Sequence, residues 1–161
     1  MAQRMWRVYE AAVNSTAVIL FAAMVTVTTL GVFYRYALND ALPWAEEADR
    51  YLFIWLSFVG ASITMRHKGH IAVDLLLRYV SPAWRHRLVL TAHASVLVFL
   101  GLVCWASIPV IELTSETRAT ATNIPMSWVY IAAPVGCILI GVETLRLMTR
   151  AWAERRQGEP A

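Results

Sequence analysis

Charged side chains flank two long apolar runs, and they are the residues of this sequence best placed to make a specific contact. Arg35 follows the first run, and Glu46 and Glu47 precede the second. If the runs are antiparallel helices, these groups reach the same depth, where a guanidinium pairs well with a carboxylate. The pattern predicts a structural ion pair or a contact with another protein. It does not indicate catalysis, because no nucleophile, base or metal-binding cluster accompanies the glutamates in the sequence.

His93 lies inside one apolar run and Glu143 directly follows another, and an ionisable residue at membrane depth is a functional candidate by default. A haem site would need a second histidine at the same depth on another helix, but the other histidines lie in a basic segment between runs. We therefore interpret His93 as a hydrogen-bonded packing residue. Glu143 stands three residues before Arg146, a spacing that predicts local pairing and leaves proton coupling as the alternative.

Metal, redox and enzyme chemistry have little support in the sequence. His67 and His70 are three residues apart, but two histidines without further ligands are a weak metal signal, and Gly69 between them indicates a turn. Cys104 and Cys137 lie within apolar runs, which is typical of small buried hydrophobes. We expect no enzyme activity, no metal and no cofactor.

The composition indicates a membrane protein. Of 161 residues, 58% are hydrophobic and 16% are charged, and the mean hydropathy is +0.52. An ordinary soluble domain has about 25% charged residues. The net charge of +3 comes from basic residues placed between apolar runs. Because they form no single basic patch, nucleic-acid binding is not expected.

Four stretches are long enough to cross a bilayer as helices, since about 20 residues span the hydrocarbon. The predicted spans are 11–36, 43–65, 88–111 and 124–146. They belong to a single membrane domain at residues 1–156, followed by a disordered tail at 157–161. Pro43 suits the first turn of the second helix, and the acidic residues after it favour the positive end of the helix dipole. Pro82 is expected to begin the third helix in the same way.

Residues 70–80 are too short and too polar to cross a membrane. Ile71, Leu75 and Tyr79 recur at helical spacing, which predicts an amphipathic helix lying in the cytosolic interface. The predicted fold is therefore an all-α membrane protein with four transmembrane helices and one short interfacial helix between the second and third spans.

The basic residues set the direction of the spans. Eleven of the 14 Lys and Arg residues lie before the first span, between the second and third, or from the last residue of the fourth onward. The remaining three, Arg35, Arg50 and Arg118, lie in the loops or span ends of the other side. Because cytosolic loops are enriched in Lys and Arg, both termini and the middle segment are expected in the cytosol.

Several short patterns, in order along nearly the whole chain, are similar to those of a known family. The matching blocks are Arg35-Tyr36, Pro43-Trp44-Ala45-Glu46-Glu47, Gly69-His70-Ile71-Ala72-Val73-Asp74, Ile124-Pro125 and Trp128-Val129-Tyr130. Together they resemble the small, DctQ-type membrane subunit of tripartite ATP-independent periplasmic (TRAP) transporters. One departure is Asn123, where a glycine often precedes Ile-Pro in that family.

The resemblance implies a non-catalytic scaffold and anchor in the bacterial inner membrane. Such a subunit works with a large multi-span membrane subunit that carries the substrate and sodium pathway, and with a periplasmic protein that delivers an organic acid or related solute. The implied structural and partner contacts are Arg35, Trp44, Glu46, Glu47, Arg50, His70 and Asp74. The candidate contacts in the two outward loops are Asn39, Asp40, Arg118 and Asn123.

Two other classes remain open at this point. A small self-assembling multidrug antiporter would need a membrane-embedded glutamate in an early helix, and the first predicted span has none. A cytochrome-type membrane anchor of a redox enzyme would bind haem and would therefore show a Soret band in its absorbance spectrum.

Overall fold

A computed structural model describes residues 2–67 and 82–156 of the chain. The helices, numbered in chain order, are α1 (Ala2–Ala37), α2 (Pro43–Arg66), α3 (Pro82–Leu113), α4 (Ser127–Tyr130) and α5 (Ala132–Arg156). The described ranges contain no strand beyond one isolated β-bridge between Arg118 and Pro125. The prediction of an all-α protein is confirmed for this part of the chain. The predicted interfacial helix at 70–80 and the predicted tail at 157–161 lie outside the described residues.

Proline and asparagine residues shape the helix ends. Pro43 and Pro82 are the first residues of α2 and α3, because a proline at that position loses no helical hydrogen bond. After α1, Asn39 adopts a left-handed backbone with φ 52°, which asparagine tolerates better than most residues. The amide of Asp40 then donates to the carbonyl of Tyr34 at 3.1 Å. This bond satisfies one of the carbonyls that the end of a helix leaves unpaired.

Three of the helical stretches are long and apolar enough to cross a membrane: Gln3–Ala37, Arg87–Leu113 and Ser127–Thr149. The helix α2 has 24 residues, also enough to span the hydrocarbon, but it does not meet the same apolar criterion. The reason is its first two turns, which carry three acidic residues and Arg50. The sequence-based prediction of four spans is therefore supported for three, and the crossing by α2 stays a prediction.

The four long helices pack side by side in a row. α1 packs on α2, α2 on α5, and α5 on α3, whereas α1 and α3 share no comparable contact within the described ranges. The row leaves large apolar side chains exposed on its two end helices, including Phe21 of α1 and Phe99 and Trp105 of α3. Apolar side chains exposed all along a helix are expected where lipid or another membrane protein, and not water, surrounds the helix.

α2 and α5 pack closely where a glycine of one helix meets a phenylalanine of the other. Gly136 of α5 faces Phe58 of α2, and a Cβ built on the glycine would lie 2.5 Å from the Phe58 Cβ and 2.6 Å from its Cγ. Real Cβ atoms essentially never approach so closely, so α5 needs glycine here for the helices to meet. Small residues let membrane helices pack closely, and dispersion contacts then hold them together. Gly141, five residues further along α5, has no heavy atom within 4 Å of a built Cβ.

Replacing this glycine should therefore force the two helices apart. Gly136→Ala is expected to destabilise the chain by about 1–3 kcal/mol, the usual cost of overpacking a close contact. The measurement is the midpoint of thermal unfolding of the purified chain in detergent, followed by tryptophan fluorescence. Gly141→Ala makes the same chemical change in open space and should not lower the midpoint. Equal midpoints for the two variants would contradict the proposed role of Gly136.

Candidate functional site

The charged residues at the end of the row where α1 begins and α2 ends form one connected group, here called the inner cluster: Glu10, Arg66, Glu143 and Arg146. The Nε of Arg66 donates to Glu143 Oε1 at 2.9 Å, and Arg146 Nη1 donates to Glu10 Oε1 at 2.6 Å. Arg146 Nη1 also lies 3.8 Å from Glu143 Oε2. Two guanidinium groups thus face two carboxylates, and the ion pairs tie α1, α2 and α5 together.

Two aromatic rings line the inner cluster. The Arg146 Cζ lies 3.9 Å from the centroid of the Trp6 ring, and the Arg66 Cζ lies 5.9 Å from that of Tyr9. Both distances fall within the range of a cation–π interaction. In addition, Arg66 Nη1 donates to Asn14 Oδ1 at 3.3 Å. These contacts orient each guanidinium toward its carboxylate partner.

Glu143 is the only charged side chain in the described ranges that is fully buried. The sequence predicts local pairing with Arg146, and the structure does bring the two residues together, but the closer partner is Arg66. That partner was missed because it lies 77 residues away on another helix. A signal was nonetheless present, since positive-inside reasoning places Arg66 and Arg146 on the same side of the membrane.

Breaking the inner cluster should be costly, because a buried charge would lose its counter-charge. Arg66→Met and Glu143→Met are each expected to destabilise the chain by about 3–5 kcal/mol. The double variant removes one charge of each sign, so it should lose much less than the sum of the two. Thermal midpoints in detergent measure this coupling. Arg4→Met, which removes an exposed arginine, is the control and should change little; additive losses in the double variant would contradict the cluster.

At the opposite end of the row, Arg35 of α1 and Glu46 of α2 form an ion pair. The sequence predicts that Arg35 meets one of the two glutamates, and the structure selects Glu46. The two side chains remain 49% and 66% exposed. An ion pair that open to solvent contributes only about 0–1 kcal/mol. This pair therefore marks where two helix ends meet and adds little to stability.

Glu47 makes a different and richer contact, which the sequence did not predict. Its Oε1 accepts hydrogen bonds from Thr120 Oγ1 at 2.7 Å and from the Ala121 amide at 3.1 Å. Its Oε2 accepts from the amide and the hydroxyl of Thr122, both at 2.9 Å. One carboxylate thus receives four hydrogen bonds from the loop between α3 and α4, and it holds that loop against the start of α2.

The loop that Glu47 holds, residues 114–126, has internal bonds of its own. The Ala119 amide donates to the carbonyl of Ile124 at 2.9 Å, and Arg118 Nη1 donates to the carbonyl of Asn123 at 3.1 Å. Asn123 adopts a left-handed backbone with φ 57°. That conformation accounts for the departure noted in the sequence, because glycine and asparagine are the residues that adopt it most readily.

The remaining candidate residues are more scattered. Trp44 and Arg50 are exposed near the start of α2, and His70 and Asp74 lie outside the described residues. His93 Nδ1 lies 2.6 Å from the carbonyl of Val89, one turn back on its own helix. No group of three or more His, Cys, Asp or Glu side chains within the described ranges is arranged to hold a metal ion.

The contact between Glu47 and the loop can be tested by amide exchange. Glu47→Gln removes the charge and replaces one acceptor oxygen by a donor, so at least two loop donors lose their partner. Hydrogen bonds to a charged acceptor contribute about 1.5–3 kcal/mol each. The amides of Ala121 and Thr122 are therefore expected to exchange at least about tenfold faster. Glu46→Gln removes the adjacent charge from an exposed pair and should leave those rates unchanged; the same acceleration in both variants would contradict a specific role for Glu47.

The fold and these two polar sites define a class: a small helical membrane protein whose charged side chains are used mainly to hold its own helices and loop. The family model described as "Tripartite ATP-independent periplasmic transporters, DctQ component" matches residues 24–154. Because the match covers most of the chain, the protein belongs to this family, and it is a small permease subunit of a TRAP transporter. The resemblance found in the sequence is confirmed.

Several relatives carry the same designation. The chain is 28% identical to the sialic acid TRAP transporter small permease protein SiaQ of Vibrio cholerae, over 75% of this chain and 70% of the relative. It is 29% identical to the C4-dicarboxylate small permease protein DctQ of the same organism, over 81% of this chain and 65% of the relative. It is 25% identical to the isethionate TRAP transporter permease protein DctMQ of Oleidesulfovibrio alaskensis, over 77% of this chain and 21% of that longer relative.

Proposed function

We propose that this subunit is a static scaffold and anchor, and that it does not carry the substrate itself. The observation that supports this most directly is the environment of Glu143, which is fully buried and bound by arginines of the same chain. A substrate site in a membrane needs polar or charged groups that are free to bind a ligand, often beside broken helices. The inner cluster instead neutralises itself across three helices.

We also propose that α2 crosses the membrane as a fourth span, with both termini in the cytosol of a bacterium and the protein in its inner membrane. The length of α2 and its place between α1 and α5 in the row support this. Because α2 runs antiparallel to α1, its acidic first turns reach the outer interface, where charged groups remain hydrated. The excess of arginine and lysine on the opposite side supports the direction.

The proposed principal partner is a large multi-span membrane subunit that contains the transport pathway. The match to the isethionate relative supports this, because the chain corresponds to about a fifth of a protein named as a single permease. A small subunit fused to a large one would give that proportion. Separate small and large chains would then need to assemble in the membrane. Trp44 and Arg50, exposed near the start of α2, are candidate contacts for the large subunit.

We propose that the complete transporter takes up organic acids or related solutes with a sodium gradient, after capture by a periplasmic binding protein. The names of the relatives include sialic acid, C4-dicarboxylates and isethionate. Small subunits of similar sequence thus belong to transporters for different anionic solutes. This pattern supports placing substrate choice in the large subunit and the binding protein.

The two outward loops are the proposed surface for the binding protein. One contains Asn39 and Asp40, and the other contains Arg118 and Asn123. Glu47 anchors the second loop through hydrogen bonds from Thr120 and Thr122, which restrict the positions of the groups that the loop exposes. A preordered surface loses less entropy on docking than a flexible loop would.

Co-expression tests the scaffold proposal. A tag on this chain is expected to recover the large subunit encoded with it, and the chain alone in sodium-gradient liposomes should take up no labelled C4-dicarboxylate or sialic acid. Glu47→Ala should lower the yield of the complex, because the loop loses its main anchor. Arg35→Ala, which affects only an exposed pair, should lower it less. Transport by the chain alone, or purification free of the large subunit, would contradict the proposal.

A further inference from the structure

The first turns of α1 and the last part of α5 enclose an open cleft of about 450 Å³ beside the inner cluster. The residues that line it are Gln3, Trp6, Arg7, Glu10 and Arg146. The cleft adjoins the inner cluster and shares with it Glu10, Arg146 and the lining ring of Trp6, whereas Gln3 and Arg7 belong to the cleft alone. Its volume is ample for a phosphate group and the start of its ester chain.

The charges in the cleft do not balance. Glu10 is bound by Arg146, so its negative charge is already neutralised. Arg146 in turn divides its charge between Glu10 and Glu143. Arg7 is exposed, and the ion pairs among the side chains that the structure describes do not include it. One guanidinium is therefore left over in the cleft, and its natural partner is an anion that accepts several hydrogen bonds.

A second feature is the indole of Trp6. Its ring lies against Arg146, and its buried Nε1 has no hydrogen-bond acceptor among the described residues. A buried donor without an acceptor is costly, so such groups are usually satisfied by water or by a ligand. The cleft thus places an unpaired guanidinium beside an indole whose buried donor lacks an acceptor, and phosphate oxygens would pair with the guanidinium.

The surroundings of the cleft are apolar. Met5 and Val8 lie on the same turns of α1 and are 72% and 64% exposed. The stretch of α1 that is apolar enough to cross a membrane begins at Gln3, which is itself a lining residue. The cleft therefore lies at the edge of the hydrocarbon, with a few charged groups in a mostly apolar wall and apolar neighbours. A phospholipid likewise has a charged phosphate group next to apolar acyl chains.

We propose that this cleft binds the phosphate headgroup of an anionic phospholipid, with Arg7 as the main electrostatic contact and Arg146 as the inner wall. The inference rests on the orientation given under the proposed function, which places the cleft in the cytosolic leaflet. That leaflet carries the anionic lipids to which basic residues near a membrane surface are attracted. An acidic side chain of a partner protein is the competing occupant; the position of the cleft at the edge of the hydrocarbon, where phosphate headgroups lie, favours the lipid.

Native mass spectrometry of the purified full chain in detergent tests the proposal, with phosphatidylglycerol and phosphatidylcholine of matched acyl chains as probes. Phosphatidylglycerol is expected to remain bound to a larger fraction of the chain. Arg7→Gln should weaken its binding about fivefold, the factor expected for one basic residue near the surface. Arg4→Gln removes an exposed arginine one turn away that does not line the cleft, and it should bind as the unchanged chain does.

Four results would overturn the lipid site. Equal binding of the two lipids would exclude headgroup selection, and equal losses in Arg4→Gln and Arg7→Gln would indicate general surface charge. Displacement of the lipid by equimolar glycerol 3-phosphate would indicate a site for soluble phosphate esters. Unchanged lipid binding by Arg7→Gln, together with weaker recovery of the large subunit, would assign the cleft to the partner protein. If lipid binding alone fails and the large subunit is still recovered, the scaffold proposal stands.

Discussion

The constraint on which the rest of this structure depends is the burial of one carboxylate. Glu143 has no exposed surface, and an ionised carboxylate without a partner in such surroundings would cost many kcal/mol. Arg66 and Arg146 remove that cost, and Arg146 is in turn balanced by Glu10. The paired residues of the three helices must therefore lie at the same depth, so the ion pairs fix the register of α1, α2 and α5. Apolar packing alone would tolerate sliding along the helix axes far more readily.

The two ends of the helix row use polar groups in different ways. At the inner end, charges on three helices meet each other in a largely buried cluster. At the outer end, Glu47 binds mainly the backbone and hydroxyl groups of a loop. The ion pairs at the inner end thus fix the relative positions of the helices. The hydrogen bonds of Glu47 at the outer end fix the position of the loop. Both arrangements resist change, which suits a subunit against which another part of a transporter moves.

The helix ends were the features of this fold that could best be predicted from the sequence, because they depend on local chemistry. Pro43 and Pro82 begin their helices as expected, and the hairpin brings Arg35 to Glu46 because antiparallel helices of known length leave few alternatives. The contacts of Glu47 with Thr122 and of Glu143 with Arg66 were not predictable in the same way. They join residues 75 and 77 positions apart, and they depend on which face each helix turns to its neighbour. A single sequence with nearly uniform apolar helices contains little information on that rotation.

Because the helices form a single row, only a few residues need to make specific contacts. α2 and α5 occupy the middle, where Gly136 leaves room for Phe58 and so permits their close contact. Within the described ranges, α1 and α3 each pack mainly on one long helix, so most of their remaining surface must suit lipid or a partner and needs only to be apolar. Specific chemistry is then required only along the central contact and at the two polar ends. In a membrane, where lipid is as apolar as the side chains and gives helices little hydrophobic reason to associate, those few contacts have to supply most of the preference for one arrangement.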